Sequence, residues 1–222
     1  DRMIEQIAGC VIGHITVRDF ETKEVLIDKD NAVHYGNIST EIAQALTGDP
    51  NSFITYMAFG NGGVIIDSSG GIVYRSPNTS LNKNPNAQPY NTTLVFEMTN
   101  AASNVRDPLV KVPQESTLTG NYEDILAQVV LVAGFPQGQK NMDNASGSNN
   151  QIIDDSTTFV FNEIALFCGP KRLGTLTEST QIQNFIVNPS TRLITHVIFH
   201  PVQKSLNRVL EITYTLRIQM GI

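Results

Sequence analysis

Five glycines, two serines and an aspartate surround a short apolar run in AFGNGGVIIDSSGG, residues 58–71. Glycines at this density suit a phosphate cradle, an active-site loop or a pair of turns. A dinucleotide fingerprint needs G-x-G-x-x-G, and counting from Gly60 the sixth residue is Ile65. A P-loop needs a Gly-Lys pair, which the chain lacks. Both motifs also need a helix N-terminus behind the glycines to supply its dipole. VIIDSSGGIVYR follows instead and reads as strand, turn, strand. The spacing therefore predicts a structural turn at Gly60, Asn61, Gly62 and Gly63, with positive φ at the glycines. DSSGG is predicted to be a hairpin connection.

The remaining chemistry-bearing residues are sparse. His196 and His200 have the H-x-x-x-H spacing of a zinc helix but lie in a strand pattern, RLITHVIFH. Four residues along a strand span roughly 13 Å, too far to share one metal. They are read as strand-face or interface histidines. DKDN (28–31) starts like a calcium loop, but Val33 stands where its glycine belongs and Ser39 where its terminal glutamate belongs, so a turn is expected. No G-x-S-x-G is present, and Asp154 and Asp155 are adjacent instead of flanking a substrate. No catalytic, cofactor-binding or metal-ligating set follows from these residues. Cys10 and Cys168 sit beside apolar runs and read as buried free thiols, with a disulfide left open.

The elements that would carry these residues are mostly strands. VIGHITVRD and VLID (11–28) read as a hairpin, with Val11, Gly13, Ile15 and Val17 on one face. NISTEIAQALTGDP (37–50) reads as a helix capped by Asn37, carrying an apolar stripe of Ile38, Ile42, Ala45 and Leu46, with Gly48 left-handed beyond its end. Further strands are predicted at 52–59, 71–75, 91–98, 125–133, 157–167, 192–200 and 208–220. The last alternates cleanly, with Leu210, Ile212, Tyr214, Leu216, Ile218 and Met220 on one face. The last two are expected to form an antiparallel hairpin. The predicted fold is mainly β: an antiparallel β-sandwich in one domain, 1–222, with one short helix near the N-terminus and long loops at about 76–90, 99–120 and 134–156.

The 222 residues are 41% hydrophobic and 16% charged, against roughly 25% charged in typical domains, so polarity comes from uncharged side chains. A net charge of −6 and the absence of a Lys/Arg cluster argue against nucleic acid. No apolar run approaches the ~20 residues of a membrane helix, and DRMIEQIAGCVIG lacks the pattern of a secretory signal. Three strands (125–133, 157–167 and 192–200) are apolar on both faces, more than the predicted helix can cover. Either long loops folded back or a neighbouring subunit must cover them, and large apolar patches on soluble chains usually mark association. The sequence therefore predicts an assembly subunit, with Val129, Leu131, Phe159, Phe161, Val197 and Phe199 as interface strand faces and a homo-oligomer as the expected state.

Residues 13–63, from GHITVRDF to FGNGG, resemble the opening of a group of structural proteins of tailed-bacteriophage virions. FNEIALF (161–167) resembles a motif of phage tail, baseplate and fibre-attachment proteins, and THVIFHPVQKSLNRVLEITYTLRIQ (195–219) is similar to the closing hairpin of the same group. The resemblance implies a non-enzymatic subunit of the neck, tail or baseplate apparatus, assembled in the host cytoplasm into the virion and bound to other virion proteins. It brings no catalytic residues and no cofactor. A capsid decoration protein or a receptor-binding protein for host glycan is the alternative that it leaves.

Overall fold

The computed structural model describes residues 8–79, 86–97, 159–170, 190–205 and 208–221, four positions between 182 and 188, and the strand backbones at 108–114 and 125–135. Among these, nine strands form one antiparallel sheet in the order β6-β3-β9-β10-β2-β1-β11-β8-β7, and β4 and β5 form a separate pair. In chain order the elements are β1 (Ala8–Asp19), β2 (Val25–Val33), α1 (Tyr35–Leu46), β3 (Ile54–Gly60), β4 (Val64–Ile66), β5 (Ile72–Tyr74) and β6 (Thr92–Glu97), then β7 (Pro108–Gln114), β8 (Ile125–Phe135), β9 (Phe159–Cys168), β10 (Arg192–Lys204) and β11 (Leu210–Gly221).

The sheet folds back on itself at β2. Residues 25–31 of β2 pair with β1, whereas Ala32 and Val33 pair with His196 and Thr195 of β10. One core then collects the inner residues of both halves: Ile15 and Val17 of β1 and Ile212, Tyr214 and Leu216 of β11, with Phe59 of β3, Phe96 of β6, Phe161 and Ile164 of β9 and Val197 and Phe199 of β10. The sandwich is thus two halves of a single curled sheet. The Tyr214 hydroxyl crosses it, donating to Thr195 Oγ1 at 2.6 Å while accepting from Asn31 Nδ2.

The predicted alternation holds in β1 and β11, where Val11, Ile15, Val17, Leu210, Ile212, Tyr214 and Leu216 are all buried. It fails in β9 and β10. Register shifts between Leu193 and Thr195 and between Ile198 and Val202 change which face each residue occupies. Phe161 therefore lies with Ile164 and Leu166, and Phe167 and Leu193 lie on the opposite face.

The expected hairpin of the last two strands does not form. β10 pairs with β9 and β2, while β11 pairs with β1 and β8, so the connection crosses between the halves. Part of the loop placed at 99–120 is also strand, since β7 pairs with β8. The loop at 134–156 lies outside the described residues beyond Phe135.

The helix starts at Tyr35, two residues earlier than predicted. The Asn37 N–H donates to His34 Nδ1 at 3.1 Å, so the imidazole supplies the cap. Asn37 is buried, donating its Nδ2 to the Leu193 carbonyl at 2.8 Å. Glu41, also buried, meets Arg192 at 2.7 Å. The buried face of α1 is Asn37, Ile38 and Glu41, and Leu46 is 84% exposed, so the expected stripe is only half used. Gly48, at φ +86°, takes the left-handed position. Both cysteines are free, Cys168 buried as expected and Cys10 exposed.

Candidate protein–protein interface

Of the three strands expected to have an open apolar face, β9 and β10 are covered by the chain itself over most of their described residues, and Val160 stays exposed. Phe161, Val197 and Phe199 are at most 4% exposed and belong to the main core. They are withdrawn as interface residues, because the second half of the curled sheet packs on them. The opposite face is covered too. Phe185 stacks edge-on against Tyr56 (4.8 Å between centroids) and Phe167 (5.1 Å), with Ile182 in the same cluster. Val129 and Leu131 pair through their backbones with Leu216 and Tyr214, and Phe159 with Lys204; their side chains lie outside the described residues.

Apolar surface concentrates elsewhere. Five of the eleven large hydrophobic residues exposed among the described residues are Ile65, Ile66, Ile72, Val73 and Tyr74. All five lie in the β4–β5 hairpin, and the other six are scattered, as single exposed apolar residues commonly are. This hairpin is an arm outside the main sheet, with both outer edges unpaired among the described residues.

The arm is held at both ends. At its tip, Asp67 Oδ1 accepts from the Ser69 N–H, the Ser69 hydroxyl and the Gly71 N–H at 2.7–2.8 Å, and Gly70 turns at φ +84°. The Ser69 hydroxyl, then the Gly71 and Ser69 amides, hold the Asp67 carboxyl below its ordinary range. DSSGG is thus the predicted hairpin connection.

At its root, both legs are tied to β9 and β10. The Gly63 N–H donates to Asn162 Oδ1 (2.8 Å) and the Gly62 N–H to Glu163 Oε1 (3.0 Å). Across the legs, the Arg75 N–H donates to the Gly63 carbonyl (2.9 Å), and further along the Asn78 N–H donates to His196 Nδ1 (2.8 Å). Glu163 Oε1 also accepts from the Asn91 N–H (2.9 Å), and its Oε2 accepts from the Tyr90 N–H (3.0 Å). His196 Nε2 completes the set, donating to Oε2 at 3.0 Å, since its Nδ1 is already an acceptor. The Arg75 guanidinium lies over the Tyr90 ring at 4.5 Å.

Both Glu163 and His196 are fully buried. Burial pushes the Glu163 carboxyl up, but the hydrogen bonds from His196 and from the Asn91 and Tyr90 amides outweigh it and hold the group below its ordinary value. Four donors fill the carboxylate and the amide of Asn78 fills the imidazole, so no position of the pair faces a substrate. This is a clamp for backbone. Gly60, Gly62 and Gly63 do not have the expected positive φ. They are small because the clamp is tight: a Cβ on Gly60 would collide with Glu163 and the Asn91 carbonyl, and one on Gly63 would come within 2.9 Å of Ile198 Cγ2.

DKDN is not a turn either. It continues β2, and Asp28 and Asp30 share one strand face opposite His14. His14 Nε2 meets Asp28 at 2.6 Å and Nδ1 meets Asp30 at 2.9 Å, an arrangement complete only when both nitrogens carry protons. The Asp30 and then the Asp28 hydrogen bond raise the His14 pKa. A raised folded value means that this group stabilises the fold fully below about pH 6.5 and loses that contribution as pH rises through the folded pKa. An NMR titration is expected to place the His14 midpoint above that of a free histidine, and His14→Gln to remove this part of the alkaline stability loss in pH-dependent melts. A midpoint at or below the free value would contradict it.

Among the described residues, no group of three His, Cys, Asp or Glu side chains is placed to hold a metal ion. A polar cleft beside α1 is lined by Glu41, Gln44, Asp49, Asn51, Ser52, Ser190 and Arg192, where Arg192 Nη1 donates to Glu41 and Gln44. No protein-family model, no curated protein and no solved structure matches the chain.

Proposed function

We propose that this chain is a non-enzymatic structural subunit of a tailed-phage virion, set in the neck, tail or baseplate apparatus and joined to other virion proteins through the β4–β5 arm. The observation that carries the assembly part is the arm itself: exposed apolar residues on a hairpin fixed at tip and root. A two-stranded hairpin is at best marginally stable in water, so five exposed hydrophobic side chains on a pinned one fit a contact made in an assembly. The phage part rests on the resemblance of residues 13–63, 161–167 and 195–219 to virion proteins. The saturated Glu163–His196 pair supports a structural over a catalytic reading, because a general base needs a position open to substrate.

Immunogold labelling of purified particles with an antibody to this chain tests the reading. Label at the neck, tail or baseplate is expected. Particles that carry none of the protein would overturn it, and label spread over the capsid would replace it with a decoration role.

A further inference from the structure

Asn61–Gly62 is the only Asn-Gly step in the 222 residues, and it stands at the root of the arm. We infer that this step is a latent modification site: a succinimide-forming asparagine that Glu163 and Asn91 hold unreactive in the fold, and whose conversion releases the arm. The inference concerns the chemistry of the root and stands whether or not the arm meets a partner.

The chemistry is that of an asparagine followed by glycine. The Gly62 backbone nitrogen, having given up its proton, attacks Cγ of Asn61. The new N–C bond closes a cyclic imide as the bond from Cγ to Nδ2 breaks, and the amide nitrogen leaves as ammonia, taking up the proton that Gly62 gave. Water then opens the imide at either carbonyl, to aspartate or isoaspartate. Glycine in the second position favours closure, because it has no Cβ to hinder the approach and its backbone turns freely. Asn61 is exposed, so water reaches it.

The fold opposes that closure in three ways. Both reacting groups are engaged, since the Gly62 N–H donates to Glu163 Oε1 at 3.0 Å and Asn61 Oδ1 accepts from Asn91 Nδ2. The Asn61 backbone is tied as well, its N–H donating to the Asn91 carbonyl at 3.1 Å and its carbonyl accepting from Asn162 Nδ2 at 3.0 Å. Bringing Cγ onto the nitrogen therefore needs several bonds broken together. Space is the second obstacle: a Cβ on Gly62 would lie 2.7 Å from Tyr90 Cβ and from the Asn91 nitrogen. Charge is the third. The attacking nitrogen must become an anion beside the Glu163 carboxylate, and like charge disfavours it. That carboxylate already accepts from four donors and is held below its ordinary value, which makes it a poor base for the Gly62 proton.

Conversion undoes the root. Isoaspartate routes the main chain through the β-carbon of residue 61 and so inserts an extra carbon before Gly62. The Gly62 and Gly63 N–H groups meet Glu163 and Asn162 at 3.0 and 2.8 Å. With the chain lengthened there, both are displaced from their acceptors. Gly63 has no slack in which to adjust, since even a Cβ on it would come within 2.9 Å of Ile198 Cγ2.

The full chain, aged at mildly alkaline pH and digested for peptide mass spectrometry, is expected to convert Asn61 about a hundredfold more slowly when folded than when held in denaturant, because the reaction must wait for local opening. Asn91→Ala keeps the backbone bonds of residue 91 and frees the Asn61 side chain. It is expected to retain its circular dichroism spectrum and to convert about two- to tenfold faster than wild type, the scale of one hydrogen bond. Glu163→Ala is expected to show a larger gain, since the Gly62 amide loses its acceptor. Wild-type chain isomerised in denaturant and refolded is expected to be cut between residues 61 and 79 faster than fresh protein, whereas Asn61→Gln aged in the same way shows no such gain. Equal rates in folded and denatured wild type would overturn the inference, as would a folded Asn91→Ala chain that converts no faster than wild type. A refolded isoaspartate chain as resistant to protease as fresh protein would overturn the release of the arm.

Discussion

Glu163→Ala is expected to lower the unfolding free energy by about 3–5 kcal/mol, because it removes the one acceptor shared by four buried donors. The side chain accepts from the amides of Gly62, Tyr90 and Asn91 and from His196 Nε2, all at 2.9–3.0 Å. Alanine leaves those donors facing a void, and a buried donor without an acceptor costs roughly 1–3 kcal/mol. Glu163→Gln is no rescue, because its amide nitrogen would present hydrogens to donors. Both legs of the arm hang from this network, so limited proteolysis between residues 61 and 79 is expected to accelerate in either variant. Acid provides a second readout. The carboxyl is held below its ordinary value in the fold. Its contribution is therefore fully present above the unfolded pKa of about 4.3 and is lost as pH falls through the folded value. Urea unfolding at neutral and acid pH should show a steeper acid loss in wild type than in Glu163→Gln. A loss below about 1 kcal/mol for Glu163→Ala, with unchanged proteolysis, would show that the clamp is dispensable.

Phe161→Ala is expected to cost about 3–5 kcal/mol, as for other aromatic truncations in a packed core. Its ring meets Phe59 at 5.4 Å and Phe199 at 5.7 Å, both edge-on, and Phe59 in turn meets Phe96 at 5.6 Å. Removing it opens a hole where the two halves of the sheet face each other. The effect separates two roles for this residue. A core phenylalanine shifts the denaturation midpoint by the same amount at every protein concentration and leaves self-association per folded chain unchanged. An interface phenylalanine would weaken association and leave the stability of the monomer intact. Chemical unfolding at two protein concentrations, together with sedimentation of the folded variant, distinguishes them.

The composition and local patterns of this sequence were enough for its class. Period-two alternation in β1 and β11 depends only on which face meets water, and 208–220 therefore read correctly as a strand with Leu210, Ile212, Tyr214 and Leu216 inward. Gly48 and the DSSGG turn were legible because backbone sterics are local. Parity in β9 and β10 was not, because register shifts are imposed by pairing partners that local spacing does not name. The same holds for His34, a poor cap by propensity that becomes one because α1 is docked where Asn37 reaches Leu193.

The clearest divergence concerns the faces expected to be interfaces. Strand hydrophobicity announced that β9 and β10 are buried on both sides, but burial by the same chain and burial by a neighbour leave the same pattern of residues. Only the curl of the sheet at β2, and the placement of Phe185 over Tyr56 and Phe167, decided for the same chain. The glycines of 60–63 were read as positive-φ turn positions, and none of them has a positive φ. That they make room for the carboxylate of Glu163, a residue a hundred positions away, was decided in three dimensions, since a long-range contact is set by the path of the whole chain.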